Sequence, residues 1–222
     1  VPVDDGIPSD GVGILSWSDN NALMVRHLMD LYARPGMTVV DPTYGRGIFW
    51  RATDTTQYDF KASDLSDGVD LRDLPCADDS VDVLVLDPPY RYTETNTRQV
   101  ARLDSTYRLE TLRDSRPGVD GVRDLYRAGL AEAYRVLRHG GYAFIKCQDT
   151  SGDGRQFWMH LDVMNMASAV GLTPVDLAVV VSPNVPPTRW KIQKSLRKAH
   201  SYFVICRKGG YRPFGHWPVQ RR

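Results

Sequence analysis

Apolar and polar positions alternate along the chain in two periods, and the switches between them outline the fold. From Asn20 to Ala33 apolar residues fall at helical spacing, at Leu23, Met24, Leu28 and Leu31 with His27 beside them, and Pro35-Gly36 closes the run. Thr38-Val39-Val40 reads as a short strand that stops at D-P-T-Y-G-R-G, residues 41–47. A helix is expected to open from that glycine turn over Ile48–Thr53. Asp59 to Asp64 reads as a second strand ending in an acid, and V-D-V-L-V-L, residues 81–86, as a third. Residues 91–118 are polar and arginine-bearing, the pattern of a long mobile insert. A helix is predicted over Asp120–Leu137, broken by Gly140-Gly141, then a strand over Tyr142–Cys147, a helix over Phe157–Val170 closed by Gly171, and strands over Leu177–Val181 and Tyr202–Cys206. Strands alternating with helices across short glycine turns predict an α/β protein with a doubly wound, mostly parallel sheet. The last two strands have no helix between them, which predicts an antiparallel ending.

Length and composition narrow the class. At 222 residues, 42% hydrophobic and 25% charged, the chain suits one large globular domain. No apolar stretch approaches the roughly 18 residues of a membrane span. The opening V-P-V-D-D-G-I-P-S-D lacks the basic and apolar blocks of a signal peptide. Cys76, Cys147 and Cys206 are too widely spaced for a disulfide framework or a zinc site, and the five histidines show no ligand spacing, so no metal is expected. A reducing, cytoplasmic location is the expectation. The net charge of +1 conceals a split: no Asp or Glu follows Asp176, and ten Lys/Arg lie from Arg189 onward, leaving residues 1–188 at −9. Such asymmetry predicts a polyanion-facing C-terminal part.

Two constellations carry chemistry. Ligands of open α/β sheets bind beyond the carboxyl ends of the strands, where Asp41-Pro42-Thr43-Tyr44-Gly45-Arg46-Gly47 is placed. The turn matches neither the dinucleotide fingerprint nor the P-loop. An acid leading the glycines repels a pyrophosphate and suits a cationic ligand such as S-adenosylmethionine. Asp64, ending the next strand, is positioned for ribose hydroxyls, and Asp70 for an adenine amino group. The second constellation is L-V-L-D-P-P-Y, residues 84–90. Two prolines fix the backbone and remove two donors. They aim the Asp87 carboxylate and the Pro88 carbonyl at the two N–H groups of an exocyclic amine, while the Tyr90 ring offers a face for the base.

D-P-P-Y after a strand, downstream of D-P-x-x-G-x-G, resembles the class I S-adenosylmethionine-dependent amino-methyltransferases, and within them the DNA adenine-N6/cytosine-N4 methylases, over residues 14–208. The resemblance implies a Rossmann-like seven-stranded sheet and S-adenosyl-L-methionine as cofactor. It implies a cofactor site at Asp41, Pro42, Thr43, Gly45, Gly47, Asp64, Leu65, Asp70 and Asp87, and catalysis by Asp87, Pro88, Pro89 and Tyr90. Adenine N6 in DNA is the leading target, with cytosine N4 open. RNA, at adenine N6 or guanine N2, and a non-catalytic nucleic-acid-binding subunit are the alternatives. Cytosine-C5 chemistry, which needs a cysteine nucleophile after a proline at this strand end, is disfavoured by Pro89-Tyr90.

Outside the motifs, T-R-W-K-I-Q-K-S-L-R-K, residues 188–198, interleaves cations with an aromatic ring, a pattern for phosphates and bases. Substrate contacts are expected at Tyr90, Arg91, Lys146, Arg189, Trp190, Lys191 and Lys194. Lys146 and Gln148 end a strand and are candidates to face the cleft. Trp17, Asn20 and Asn21 precede the first helix and are candidates to close over the cofactor. The domain plan is a loop over 1–13, a methyltransferase domain over 14–208 with an insert at 91–118 and a basic substrate loop at 182–200, and a basic tail over 209–222. No separate target-recognition domain is visible, so a specificity partner or a homodimer is expected, with DNA as the leading nucleic-acid partner, no membrane, and nucleoid association if DNA is the substrate.

Overall fold

The structure is a computed structural model, and it describes residues 13–90, 118–152, 155–182 and 196–210. Arg91, Arg189, Trp190, Lys191 and Lys194 lie outside the described residues, as do nearly all of the 91–118 insert and most of the C-terminal tail.

In chain order the elements are β1 (Trp17–Ser18), α1 (Asn21–Tyr32), β2 (Thr38–Asp41), β3 (Asp59–Ala62), β4 (Val81–Leu86), α2 (Gly118–Val136), β5 (Leu137–Cys147), β6 (Thr150–Gly152), β7 (Arg155–Phe157), α3 (Met159–Ala169), β8 (Leu172–Val181) and β9 (His200–Lys208). Seven strands form one sheet in the order β1-β8-β9-β5-β4-β2-β3. Within it β9 runs antiparallel to both its neighbours, and the other pairings are parallel. The expected α/β sheet with an antiparallel last strand is therefore present. β6 and β7 make a separate antiparallel hairpin.

The side-chain alternation of β4 sorts two cores. Val83 and Val85 point to one face and meet Met24, Val25, Leu28 and Met29 of α1, with Phe144, Phe203 and Ile205 from neighbouring strands. Leu84 and Leu86 point to the other face and meet Tyr126, Leu130 and Ala133 of α2 and Met159 and Val163 of α3. Asn20 caps α1, its side-chain oxygen accepting from the backbone N–H groups of Ala22 and Leu23 at 2.8 and 3.2 Å. Among the described residues no helix is long and apolar enough to cross a membrane.

Several boundaries differ from the sequence pattern, each for a local reason. The glycine turn opens only a single 3-10 turn, Ile48–Trp50, because Trp50 is drawn inward to Asp41. Gly140-Gly141 does not break the chain: β5 runs through it directly from α2, and a Cβ on Gly141 would sit 2.9 Å from the Asp82 carbonyl, so only glycine lets β4 approach so closely. Phe157 belongs to the hairpin, not to α3. β8 starts five residues earlier than expected, and Pro174 is accommodated within it at a bulge where the register with β9 shifts. On α1 the buried stripe is Ala22, Met24, Val25, Leu28 and Met29, while Leu23 is exposed.

Candidate active site

The carboxyl ends of β2, β3, β4 and β5 meet at one edge of the sheet. There a cleft of about 470 Å³, open to solvent, is lined by Pro42, Thr43, Asp64, Leu65, Val69, Asp70, Leu71, Asp87, Pro89 and Leu125. Six residues that the resemblance places at the cofactor site thus share one wall: Pro42, Thr43, Asp64, Leu65, Asp70 and Asp87.

Asp41 closes β2 and lies beneath the cleft, 2% exposed. One carboxylate oxygen accepts from the backbone N–H and the hydroxyl of Thr43, each at 2.9 Å, and the other accepts from the Trp50 indole N–H at 2.7 Å. Burial pushes its pKa up to about 6 against the pull of those donors. In this arrangement Asp41 organises the turn. Thr43 carries the organisation across the sheet, because its hydroxyl oxygen also accepts the Asp87 backbone N–H at 2.8 Å. The glycine turn and the D-P-P-Y segment are locked together through one side chain.

Asp64, 8% exposed, ties the turn to the next loop. Its carboxylate accepts the Gly45 N–H at 2.9 Å and the Ser66 N–H at 3.3 Å. Gly45 and Gly47 have φ of +53° and +63°, a left-handed shape that side chains resist. At Gly47 a Cβ would also lie 2.4 Å from the Tyr44 hydroxyl oxygen, so the partly exposed Tyr44 ring, which rests on this glycine, would have to move aside. Asp70 is held by the Arg72 guanidinium at 2.6 Å. Burial raises the Asp70 pKa, but Arg72 outweighs it and the carboxyl titrates below its usual range.

Asp87 follows β4 and receives the Tyr90 hydroxyl in a hydrogen bond. Burial lifts its pKa to about 6, opposed by Tyr90 and by Lys146. Tyr90 is pushed well above the usual phenol range, by burial first and then by Asp87. Lys146, on β5, is 1% exposed. Its ammonium donates to the Asn21 side-chain oxygen at 2.6 Å and lies 4.3 Å from the centre of the Phe203 ring. Burial brings its pKa down to about 8, with Asp87 holding it up. Asn21 thus reaches the site from α1. Trp17 is 56% exposed, and Gln148 donates to the His200 carbonyl rather than into the cleft.

Two organising residues escaped the sequence reading. Trp50 gave no signal beyond its spacing from Asp41. Asp149, 2% exposed, accepts from the His160 ring at 2.8 Å, a pairing between residues eleven apart that no motif marks.

No family model matches the chain, and no curated protein matches it. Among solved structures, TTHA0409 of Thermus thermophilus, a candidate DNA modification methylase complexed with S-adenosyl-L-methionine, is 21% identical over 68% of this chain and 57% of its own, with a TM-score of 0.42. TrmN from Thermus thermophilus is 19% identical over 84% of this chain and 48% of its own, with a TM-score of 0.50. The 1,6-didemethyltoxoflavin-N1-methyltransferase of Burkholderia thailandensis, with S-adenosylhomocysteine bound, is 15% identical over 86% of this chain and 77% of its own, with a TM-score of 0.51. The chain spans a little over half the length of the TTHA0409 chains it matches. The fold is the Rossmann-like fold seen in TrmN and in the Burkholderia enzyme, and the latter holds S-adenosylhomocysteine, the demethylated form of the S-adenosylmethionine expected here.

The residues present suit that cofactor. The backbone at Gly45 is bare, with no atom outside its immediate neighbours closer than 3.9 Å to where a Cβ would stand. Asp64 has two further lone-pair positions for hydroxyl donors, and Leu65, Val69, Leu71 and Leu125 supply an apolar wall.

Proposed function

We propose that the protein is an S-adenosylmethionine-dependent methyltransferase acting on the exocyclic amino group of a DNA base, adenine N6 first. The observation that carries this reading is Asp87 at the rim of the cleft that suits the cofactor, its backbone fixed by the two prolines that follow it and by the N–H it donates to the Thr43 hydroxyl oxygen. S-adenosylmethionine, when bound, would supply an electrophilic methyl group from its sulfonium and would leave as the neutral thioether S-adenosylhomocysteine. The base amine is a weak nucleophile because its lone pair is shared with the ring. Asp87 and the Pro88 carbonyl each accept one amine N–H and turn the lone pair outward. The prolines hold both acceptors, so little reorganisation accompanies reaction. Tyr90 now covers Asp87 with its hydroxyl. On entry of an extruded base that contact gives way, and the ring is free to stack on the base. Lys146 keeps a positive charge behind Asp87, which favours the ionised acceptor. Once the N–C bond has formed, the nitrogen gives up its proton to water.

The test is methyl transfer from labelled S-adenosylmethionine to unmethylated genomic DNA and, separately, to total RNA, with product nucleosides identified by mass. N6-methyladenine in DNA is expected with the native chain. Asp87→Ala is expected to lower the rate by about 100-fold or more while cofactor binding persists. Label confined to RNA would replace DNA as the substrate. Absence of label from both, with cofactor bound, would sink the reading.

A further inference from the structure

Beside the cleft, on the β5–β9 side, four rings converge. The His160 ring lies against Tyr202, centroids 4.5 Å apart and planes inclined by 32°. His200 meets Tyr202 edge-on at 5.2 Å, and Trp158 meets His160 edge-on at 6.3 Å. The Lys198 ammonium sits 5.0 Å from the centre of the Trp158 ring. Asp149 holds the group from below. Its side chain is fully buried, and it accepts from the His160 ring nitrogen at 2.8 Å and from the Tyr202 hydroxyl at 3.4 Å. Burying a carboxylate is costly unless it is paired and hydrogen-bonded, and Asp149 is satisfied by the His160 ring, the His160 backbone N–H at 3.4 Å and the Tyr202 hydroxyl, which ties it to the two rings. Yet the cluster is not core, for Trp158 is 49% exposed.

The placement is informative. Leu86, just before Asp87, pairs with Ile145, and Cys147 pairs with Tyr202 on the next strand. Two strand spacings, about 10 Å, separate the Asp87 position from the Tyr202 position. That is within reach of a nucleotide next to one whose base has entered the cleft. A half-exposed indole flanked by an ammonium offers a stacking face and a phosphate partner together, the pairing used on unpaired strands. Resting on the methyltransferase reading above, we propose that Trp158, His160 and Tyr202, with Lys198, form a platform for an unpaired nucleobase adjacent to the target, Asp149 acting as the positioning residue for its rings.

The test uses the full chain with Trp158→Ala, Trp158→Phe and Lys198→Glu. The probes are a fluorescent single-stranded oligonucleotide containing methylatable adenines and the same strand with abasic sites beside each adenine. Trp158→Ala should weaken binding of the first probe by about 10-fold, leave S-adenosylmethionine affinity unchanged, and bind the abasic probe no worse than the native chain does. Trp158→Phe should recover most of the loss. If Trp158→Ala fails to fold, Lys198→Glu at the exposed rim must show the loss instead. Equal affinity of native chain and folded variants for the first probe overturns the platform while leaving the methyltransferase reading intact. A native chain that neither binds nor methylates any nucleic acid overturns both, and that failure is visible without any variant.

Discussion

At the scale of single residues the site is governed by two ionisable groups with restricted access to water, Lys146 almost wholly buried and Asp87 partly so. Asp87 must be ionised to accept an amine N–H, and its pKa stands at about 6. The acid limb of kcat/KM against pH is therefore expected near 6. Lys146 opposes the rise at Asp87. Replacing it by Met, of similar length and no charge, should move the acid limb upward. An unmoved limb in an active, folded Lys146→Met variant would remove Lys146 from this role. The same shift has a consequence for stability. The folded chain holds the Asp87 proton more tightly than the unfolded chain, which releases it near 4. Stability from this group is thus greatest below about pH 4, falls as pH rises to about 6, and is level above. Asp87→Asn has no charge to bury and keeps an acceptor for Tyr90. Relative to the native chain it should be no more stable at pH 4 and more stable at pH 7, by about 1–3 kcal/mol. Urea unfolding at the two pH values measures this, and an advantage that is the same at both would refute it.

At the scale of elements the glycine turn separates conformational cost from steric cost. Gly45 and Gly47 share a left-handed backbone, but only Gly47 has Tyr44 packed on it. Gly45→Ala should cost about 1 kcal/mol. Gly47→Ala carries that cost and must also displace Tyr44, so it should lower the melting temperature further and weaken cofactor binding. Equal losses in both variants would show that the Tyr44 contact has no weight. This turn also shows what was legible in the sequence. Val81–Leu86 was readable to the residue, because a six-residue run, apolar except at Asp82 and bounded by a serine and the D-P-P segment, reads as a strand. The glycines and acids at the strand ends were readable for the same reason, since their types suit few other places. Trp50 was not, nor was the bridging role of Thr43. An indole drawn under a strand end, or a hydroxyl bridging two strand ends 44 residues apart, depends on which strands are neighbours, and that order is set by the whole sheet. The start of β8 was not readable either, since Pro174 lies at a bulge whose register is set by β9 beside it. The cluster around Asp149 joins β5, α3 and β9, so no local pattern could announce it.

At the scale of the molecule the charge split becomes a prediction about nucleic-acid affinity. The ten Lys/Arg from Arg189 onward are not equivalent. Lys208 is paired with Asp79 at 2.7 Å and lies 4.6 Å from the Tyr134 ring centre. Arg207 donates to the Gly210 carbonyl at 2.8 Å and lies over Tyr142. Both are drawn into the fold at the end of β9 and should contribute little to binding a polyanion. Arg189, Lys191 and Lys194 stand in the segment that interleaves cations with Trp190, between β8 and β9, the strand that carries His200 and Tyr202 of the ring cluster at its start. Each cation that neutralises a phosphate releases condensed counterions, so the slope of log affinity against log salt counts such contacts. Changing Arg189, Lys191 and Lys194 together to Gln should reduce that slope by up to about 3, roughly 1 per contact, and should weaken binding across sequences alike. Lys208→Gln should leave the slope where it was and show itself, if at all, in thermal stability. A slope that responds to Lys208 but not to the other three would reverse the assignment, placing the polyanion at the amino ends of the parallel strands, the edge opposite Asp87.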